Sequence, residues 1–133
     1  IKGMRILVAE DNELNSEIAK ELLEDAGAVV TLAKDGREAV SIFKQSHICE
    51  FDLILMDIMM PTLNGYEATQ IIRSLSRTDA QTVPIVAMTA NAFSHDIQKA
   101  KQVGMNDHIA KPIDVKKMYE VISRYNKGRQ TIT

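Results

Sequence analysis

Short apolar runs alternate along this chain with longer stretches in which apolar residues recur every three or four positions. Most of the runs are unbroken, which is typical of strands buried on both faces of a sheet. They occupy positions 5–9, 29–33, 53–56, 85–88 and 108–110. The stretches between them have the periodicity of amphipathic helices. Four helices are expected to start after a polar cap at Asn12, Asp35, Asn64 and Asp114, and the remaining one to cover 92–103. The apolar face of the first helix is expected to contain Leu14, Ile18, Leu22 and Leu23.

The order of these elements predicts the fold. Five strands that alternate with five helices give a parallel sheet with right-handed crossovers. The runs 6–9, 53–56 and 85–88 are apolar throughout and are expected in the middle of the sheet. The second strand contains Thr31 and the short fifth strand starts at His108, so both are expected at the edges. We therefore predict an α/β, flavodoxin-like, doubly wound sheet of five parallel strands in the order 2-1-3-4-5.

Length and composition are those of one ordinary domain. The 133 residues are 45% apolar and 26% charged, and we expect 1–133 to form a single domain with a core of about 4–126 and a tail of 127–133. A net charge of -2 argues against a general binder of nucleic acid or anionic membranes. No apolar run approaches the roughly 20 residues that cross a bilayer, and the single Cys49 suits a reducing compartment. We expect a cytoplasmic domain. Because the chain begins at Ile1, we also expect it to be a piece of a larger, even membrane-anchored, protein.

Polar side chains follow four of the predicted strands at the point where each strand ends. Glu10 and Asp11 follow the first strand, Asp57 the third, Thr89 the fourth and Lys111 the fifth. Each residue alone has an ordinary structural explanation, such as a helix cap or a solvated surface group. The carboxyl ends of parallel strands meet at one edge of a sheet, where α/β proteins bind ligands, so we expect these side chains to lie together.

Three carboxylates at one edge predict a cation site. Two carboxylates about 4 Å apart repel by roughly 4 kcal/mol at an effective dielectric constant near 20, so bringing three together is unfavourable without a bound cation. Oxygen ligands of this kind suit Mg²⁺ best. A magnesium site beside a hydroxyl and an ammonium group is equipped to hold a phosphoryl group.

With these residues in this order, the chain resembles the receiver domains of bacterial two-component response regulators over nearly its whole length. The residues that carry the resemblance are Glu10-Asp11, Asp57, Met60-Pro61 with Gly65, Thr89-Ala90 and Lys111-Pro112. Several further features resemble the receivers of hybrid sensor histidine kinases, namely the Glu10-Asp11-Asn12 run, Asn15, the polar loop 76–83 and Asn106-Asp107-His108.

The resemblance implies a role for each residue at the predicted edge. Asp57 is expected to take a phosphoryl group from a phosphohistidine on a histidine kinase or a histidine phosphotransfer domain. Asp11, Asp57 and the backbone carbonyl of Met59 would ligate Mg²⁺, with Mn²⁺ as a substitute, and Glu10 would act through metal-bound water. Lys111 would pair with Asp57 and then with a phosphoryl oxygen.

The resemblance also implies a switch. Thr89 would bond to the phosphoryl group and move inward, and the residue three positions before the lysine would change rotamer. That residue is His108 here, where many members have Tyr or Phe. His108 would then be a variant of the switch residue; the alternative is that it is an edge-strand imidazole that faces solvent. The output surface for a downstream protein would be the fourth helix, fifth strand and fifth helix, including 92–103 and 116–125. The Lys111-Pro112 bond is expected to be cis.

Two positions are expected to tune the lifetime of the phosphoryl group. Met59 lies two residues after Asp57, and Asn91 lies two residues after Thr89. A methionine side chain cannot orient water, and Asn91 carries a neutral amide. Cys49, His47 and His95 are expected to be ordinary surface residues or residues with satisfied hydrogen bonds.

Three rival functions fit these residues less well. A haloacid-dehalogenase-type phosphohydrolase would need an acid/base where Met59 stands, and a flavodoxin-type FMN carrier would not place Glu10-Asp11 in its phosphate loop. A pseudo-receiver that acts without phosphorylation, as a protein-interaction module, would be expected to have lost some of Asp11, Asp57, Thr89 or Lys111, and all four are present. The receiver interpretation is therefore preferred, with the pseudo-receiver as the alternative.

Overall fold

Five parallel strands form one sheet in this computed structural model, which describes residues 1–90 and 94–126. They are β1 (Arg5–Ala9), β2 (Val29–Ala33), β3 (Leu53–Asp57), β4 (Ile85–Thr89) and β5 (Asp107–Ala110). Their order is β2-β1-β3-β4-β5, which confirms the predicted topology. The strands β1, β3 and β4 are almost wholly buried, whereas β2 and β5 at the edges are only partly so.

Five helices connect and cover the strands. They are α1 (Glu13–Asp25), α2 (Gly36–Gln45), α3 (Gly65–Ser74), α4 (Ser94–Val103) and α5 (Val115–Ser123). The predicted start of the fourth helix at Ala92 lies outside the described residues. Within the described part of the chain, none of the helices combines the length and the apolar character that a bilayer span requires.

The helix starts follow the predicted caps. The side chains of Asn12, Asp35, Asn64 and Asp114 each accept a backbone N–H from the first turn of their helix. Of these four described helix starts, α3 alone has the complete reciprocal arrangement, because Glu67 also accepts the backbone N–H of Asn64 at 3.0 Å. In α2 the matching Glu38 accepts the N–H of Lys34 instead, at 2.8 Å.

Two apolar layers cover the sheet. Ala19 and Leu23 of α1 pack with Met118 and Ile122 of α5 on one face. The helices α2, α3 and α4 cover the other face through residues that include Phe43, Ile72 and Ala100. This arrangement leaves the carboxyl ends of the strands uncovered, where the candidate site lies.

The predicted apolar face of α1 is wrong in part. Leu14 and Ile18 are 69% and 44% exposed, and the buried positions are Ser16, Ala19 and Leu23. Ser16 tolerates burial because its hydroxyl donates to the carbonyl of Glu13 at 2.9 Å. Small residues let the helix lie close to the sheet, so its contact face is set by Ser16 and Ala19, and two large apolar side chains remain on the surface.

A buried ion pair joins the two loops at the opposite end of β3 and β4. Arg77 Nε and Nη2 lie 2.6 and 3.0 Å from the carboxylate oxygens of Asp79. The same guanidinium donates to the carbonyl of Phe43 at 2.6 Å and lies 4.4 Å from the centroid of its ring. Asp79 also accepts the N–H of Cys49 at 2.8 Å. Both charges are thus paired, and they hold the loops before β3 and β4 together.

Candidate functional site

The sheet register brings the predicted site residues to one edge. Ala9 at the end of β1 pairs with Met56, so Glu10 and Asp11 follow β1 at the level of Asp57, the last residue of β3. On the other side of β3, Asp57 pairs with Met88, and Thr89 at the end of β4 pairs with Ala110. Lys111 follows β5 directly, and its N–H donates to the carbonyl of Thr89 at 2.8 Å.

The loop after β3 holds Asp57 by its backbone. The N–H of Gly65 donates to the carbonyl of Ile58 at 2.9 Å, and the N–H of Met59 donates to Asp57 Oδ1 at 3.3 Å. A Cβ at Gly65 would overlap the backbone carbonyl oxygen of Asp57. The first residue of α3 therefore packs directly on the residue at the centre of the site, and only glycine fits there.

One ammonium group bridges two buried carboxylates. Lys111 Nζ lies 2.9 Å from Asp57 Oδ2 and 2.8 Å from Glu10 Oε1. Glu10 and Asp57 are 4% and 3% exposed, so the attraction acts in a poorly hydrated environment. Glu10 also accepts the N–H of Asn12 at 3.1 Å. The bond between Lys111 and Pro112 is cis, as the resemblance implied.

The pKa values follow from this burial. Desolvation raises the pKa of Asp57 from 3.8 to about 6; Lys111 opposes the rise and Glu10 adds to it. Burial alone would lower the pKa of Lys111, but its bonds to Glu10 and Asp57 outweigh burial and raise that pKa. Lys111 therefore stays charged, whereas Asp57 takes up a proton in mildly acidic solution.

The acidic cluster suits a hard cation. Carboxylate oxygens of Glu10, Asp11 and Asp57 lie within 4.8 Å of one another, and Asp11 is exposed to solvent. Lys111 supplies one positive charge for three carboxyl groups. Oxygen donors with an excess of negative charge and an open side are the ligand set that a small divalent cation prefers.

The remaining predicted residues lie around this cluster. Thr89 is buried at the end of β4, and Met59 is 73% exposed beside Asp57. His108 is partly buried on β5, where it pairs with Ala87. Asn91 lies outside the described residues.

One feature of the surroundings was missed from the sequence. An open cleft of about 500 Å³ adjoins the site, bordered by Glu10 and Lys111 and by Asn15, Ile18, Pro112 and Ile113. Its apolar wall comes from α1 and from the segment after β5. No signal in the sequence marked this cleft, because Leu14 and Ile18 have the spacing of a buried helix face.

Comparisons with known proteins agree with this geometry. The family model for the response regulator receiver domain matches residues 6–123. Hybrid signal transduction histidine kinase I of Dictyostelium discoideum is 42% identical over 121 residues, which is 90% of this chain and 7% of that protein. The chain spans between 6% and 20% of the length of eight such curated relatives.

Solved structures are similar along almost their full length. One is the receiver domain of sensor histidine kinase PA1611 from Pseudomonas aeruginosa PAO1, which has a magnesium ion coordinated in its active site cleft. It is 38% identical to this chain with a TM-score of 0.83, and the match covers 92% of this chain and 97% of that one. The receiver domain of Ssk1 from Saccharomyces cerevisiae, in complex with the histidine phosphotransfer protein Ypd1, gives 32% identity and a TM-score of 0.82, over 93% and 89% of the two chains.

Proposed function

Because this chain belongs to the response regulator receiver domain family, we propose that Asp57 is its phosphoacceptor and that the donor is a phosphohistidine on a histidine kinase or a histidine phosphotransfer domain. The observation that carries the proposal is the buried Asp57 carboxylate, which is bonded to Lys111 and clustered with Glu10 and Asp11 at the open edge of the sheet. The Ssk1 receiver, which is bound to a phosphotransfer protein, supports this class of donor.

We assign Mg²⁺ to the cluster of carboxylates, with Mn²⁺ as a substitute. Asp11, Asp57 and the backbone carbonyl of Met59 would hold the ion directly, and Glu10 through water. The magnesium ion of the PA1611 receiver and the oxygen-rich ligand set found here support the assignment. When bound, the ion neutralises carboxylate and phosphoryl oxygens during the transfer.

The side chains of the chain itself position and neutralise the reacting groups. An oxygen of Asp57 attacks the phosphorus, so an O–P bond forms while the N–P bond to the donor imidazole breaks and the imidazole takes up a proton from solvent. Lys111 already lies 2.9 Å from Asp57 and would then pair with a phosphoryl oxygen, with Glu10 keeping its ammonium group in place. Thr89 would bond to another phosphoryl oxygen and start the conformational switch, in which His108 takes part.

Two neighbours are assigned to the lifetime of the phosphoryl group. Met59 is exposed beside Asp57, where it would flank an attacking water, and Asn91 is assigned the same role. Replacing each of them is expected to change the rate of dephosphorylation. Rates equal to that of the unmodified chain would remove this assignment.

The cleft beside the site is the face that we assign to the protein donor. Leu14 and Ile18 are exposed, and Ile18 lines the cleft with Pro112 and Ile113. We expect Ile18→Ser to slow transfer from a phosphotransfer protein by about tenfold and to leave the reaction with acetyl phosphate unchanged. Ile48→Ser, at a comparably exposed position far from the cleft, is the matched control. Equal rates from the protein donor for Ile18→Ser and the unmodified chain would exclude this face.

A second face is assigned to the downstream partner, a protein. It consists of α4, β5 and α5, and an open cleft of about 330 Å³ on it is lined by residues that include His108, Lys117 and Arg124. We further propose that 1–133 is one receiver domain that works in the cytoplasm, by itself or as the receiver of a membrane-bound hybrid sensor kinase. The hybrid signal transduction histidine kinases among its relatives support that context.

The direct test is an intact-mass assay with Mg²⁺ and acetyl phosphate, repeated with a phosphohistidine donor. We expect the chain to gain one phosphoryl mass, Asp57→Asn to gain none, and a chelator to suppress the reaction. Asp25→Asn, at an exposed carboxylate at the end of α1, serves as the control and should react normally. A chain that takes no phosphoryl group from either donor and does not bind beryllofluoride would instead be a pseudo-receiver that acts through protein contacts alone.

A further inference from the structure

We propose that Tyr66 is a latch that connects the backbone of Asp57 to the first half of α4. In this scheme, which rests on the proposed phosphorylation of Asp57, α4 pivots about a fixed carboxyl-terminal end when the latch opens. The latch would therefore be one route by which phosphorylation reaches the output face.

The first step of this route is the contact between β3 and α3. Tyr66 follows Gly65, which packs on the carbonyl oxygen of Asp57 and donates its N–H to Ile58. The carboxylate of Asp57 is bonded to the N–H of Met59 in the same loop. A phosphoryl group on this buried carboxylate adds volume and negative charge, so the loop that ends at Gly65 must adjust. Tyr66 is the next residue and moves with it.

The second step is the contact between Tyr66 and α4. The Tyr66 hydroxyl donates to the carbonyl of Asp96 at 3.4 Å, and the ammonium group of Lys99 lies 4.7 Å from the centroid of the Tyr66 ring. The hydrogen bond is long and the cation–π pair involves an exposed lysine, so both contacts are weak. Of residues 95–103, only Ala100 is buried, and Ile97 and Val103 are half-buried, so within this range little fully buried apolar surface holds the helix in place.

The other end of α4 is held much more firmly. Arg73 Nε and Nη2 donate to the carbonyl of Gly104 at 3.0 and 2.8 Å, and Nη2 also donates to Asn106 Oδ1 at 2.8 Å. Arg73 Nη1 donates to the carbonyl of Ala80 at 3.0 Å, and Asn106 Oδ1 accepts the N–H of Ile85 at 2.9 Å. Hydrogen bonds from a guanidinium group are strong, and several act together here. The turn after α4 is thus fixed to α3 and β4.

This asymmetry decides how α4 can move. A helix with several charge-assisted bonds at one end, and with weak contacts at residues 95–99 of its first half, rotates about the strong end. The contacts of Tyr66 resist that rotation in the unphosphorylated state. By linkage, a change that opens the latch also favours modification of Asp57, because both bias the same equilibrium.

The test is amide hydrogen exchange of residues 98–103, first without any phosphoryl donor. Tyr66→Phe combined with Lys99→Met removes the hydrogen bond and the cation and keeps an aromatic ring in the core. We expect exchange in α4 to rise about three- to tenfold in this variant, while exchange in β1 and β3 stays unchanged. Tyr119→Phe, which removes a bond of 2.6 Å to the carbonyl of Leu22 on the other face of the sheet, is the matched control and should leave α4 unchanged.

The second readout connects the latch to the site. In the unmodified chain, Mg²⁺ with beryllofluoride should raise exchange in α4, and in the Tyr66→Phe/Lys99→Met variant the further rise should be small. The variant should also bind beryllofluoride at least about threefold more tightly by calorimetry.

The outcomes separate the two proposals. Unaltered exchange of α4 in the variant, or an equal rise in Tyr119→Phe, would overturn the latch. A loosened α4 with unaltered binding of beryllofluoride would overturn its coupling to Asp57. An unmodified chain that takes up neither a phosphoryl group nor beryllofluoride would overturn the proposed function and the coupling of the latch to Asp57. The comparison of the unphosphorylated chains would still decide whether Tyr66 restrains α4.

Discussion

The buried carboxyl group of Asp57 opposes folding at neutral pH, so replacing it with a neutral group of the same shape should stabilise the chain. Its pKa is raised from 3.8 to about 6, chiefly by desolvation. Between these two values the folded chain keeps a proton that the unfolded chain has released. The contribution of Asp57 to the free energy of unfolding therefore falls as the pH rises from about 3.8 to about 6. Above about pH 6 the destabilisation of the folded chain by the buried carboxylate is complete.

The size of the effect follows from that difference in pKa. A rise in the pKa of Asp57 from 3.8 to about 6 corresponds to a loss of about 3 kcal/mol in the free energy of unfolding at neutral pH. Asp57→Asn removes this penalty but also weakens the contact with Lys111, which keeps its bond of 2.8 Å to Glu10. We therefore expect Asp57→Asn to raise the free energy of unfolding by about 1–3 kcal/mol at neutral pH, and to give little or no gain near pH 4.

The assay is urea unfolding followed by far-ultraviolet circular dichroism over a series of pH values, with a chelator present. The quantity to compare is the difference between Asp57→Asn and the unmodified chain, because other groups titrate in both. Glu17→Gln, at an exposed position within α1, is the control and should give a nearly flat difference. A difference for Asp57→Asn that does not change between about pH 4 and 7 would refute the reasoning from burial. Adding Mg²⁺ should stabilise the unmodified chain more than Asp57→Asn, since only the former keeps all three carboxylates.

Three further outcomes follow from individual contacts. Arg77→Met leaves the carboxylate of Asp79 buried without the guanidinium partner, so it should lower the free energy of unfolding by about 3–5 kcal/mol in urea titrations, and adding Asp79→Asn should restore part of the loss. Full stability of the single variant would show that the pair is solvated. Gly65→Ala forces a Cβ against the carbonyl of Asp57, so it should lower the free energy of unfolding by about 1–3 kcal/mol and slow phosphorylation in the intact-mass assay. A normal rate of phosphorylation in this variant would mean that the loop adapts freely. Asn64→Ala removes the cap of α3 and should cost about 1 kcal/mol in thermal unfolding with phosphorylation retained, so a loss of phosphorylation would point to a wider role for that residue.

The sequence alone determined the fold and the edge of the sheet at which the candidate site lies. Continuous apolar runs identified the central strands, and the polar interruptions Thr31 and His108 identified the edge strands, because a parallel sheet buries its middle on both faces. The caps Asn12 and Asn64 were predictable since a helix start needs an acceptor within three residues. These are short-range or compositional signals, and the chain carries them in its local pattern.

The tertiary structure decided which side chains meet and with what strength. The buried faces of α1 depend on Ser16 and Ala19 lying close to the sheet, so the exposure of Leu14 and Ile18 was not visible from periodicity. The bridge from Lys111 to Glu10 joins residues about a hundred positions apart. The geometry of this bridge depends on the register and twist of four strands and on the rotamers of the three side chains. The raised pKa of Asp57 depends on the same geometry, and no local stretch of sequence encodes that combination.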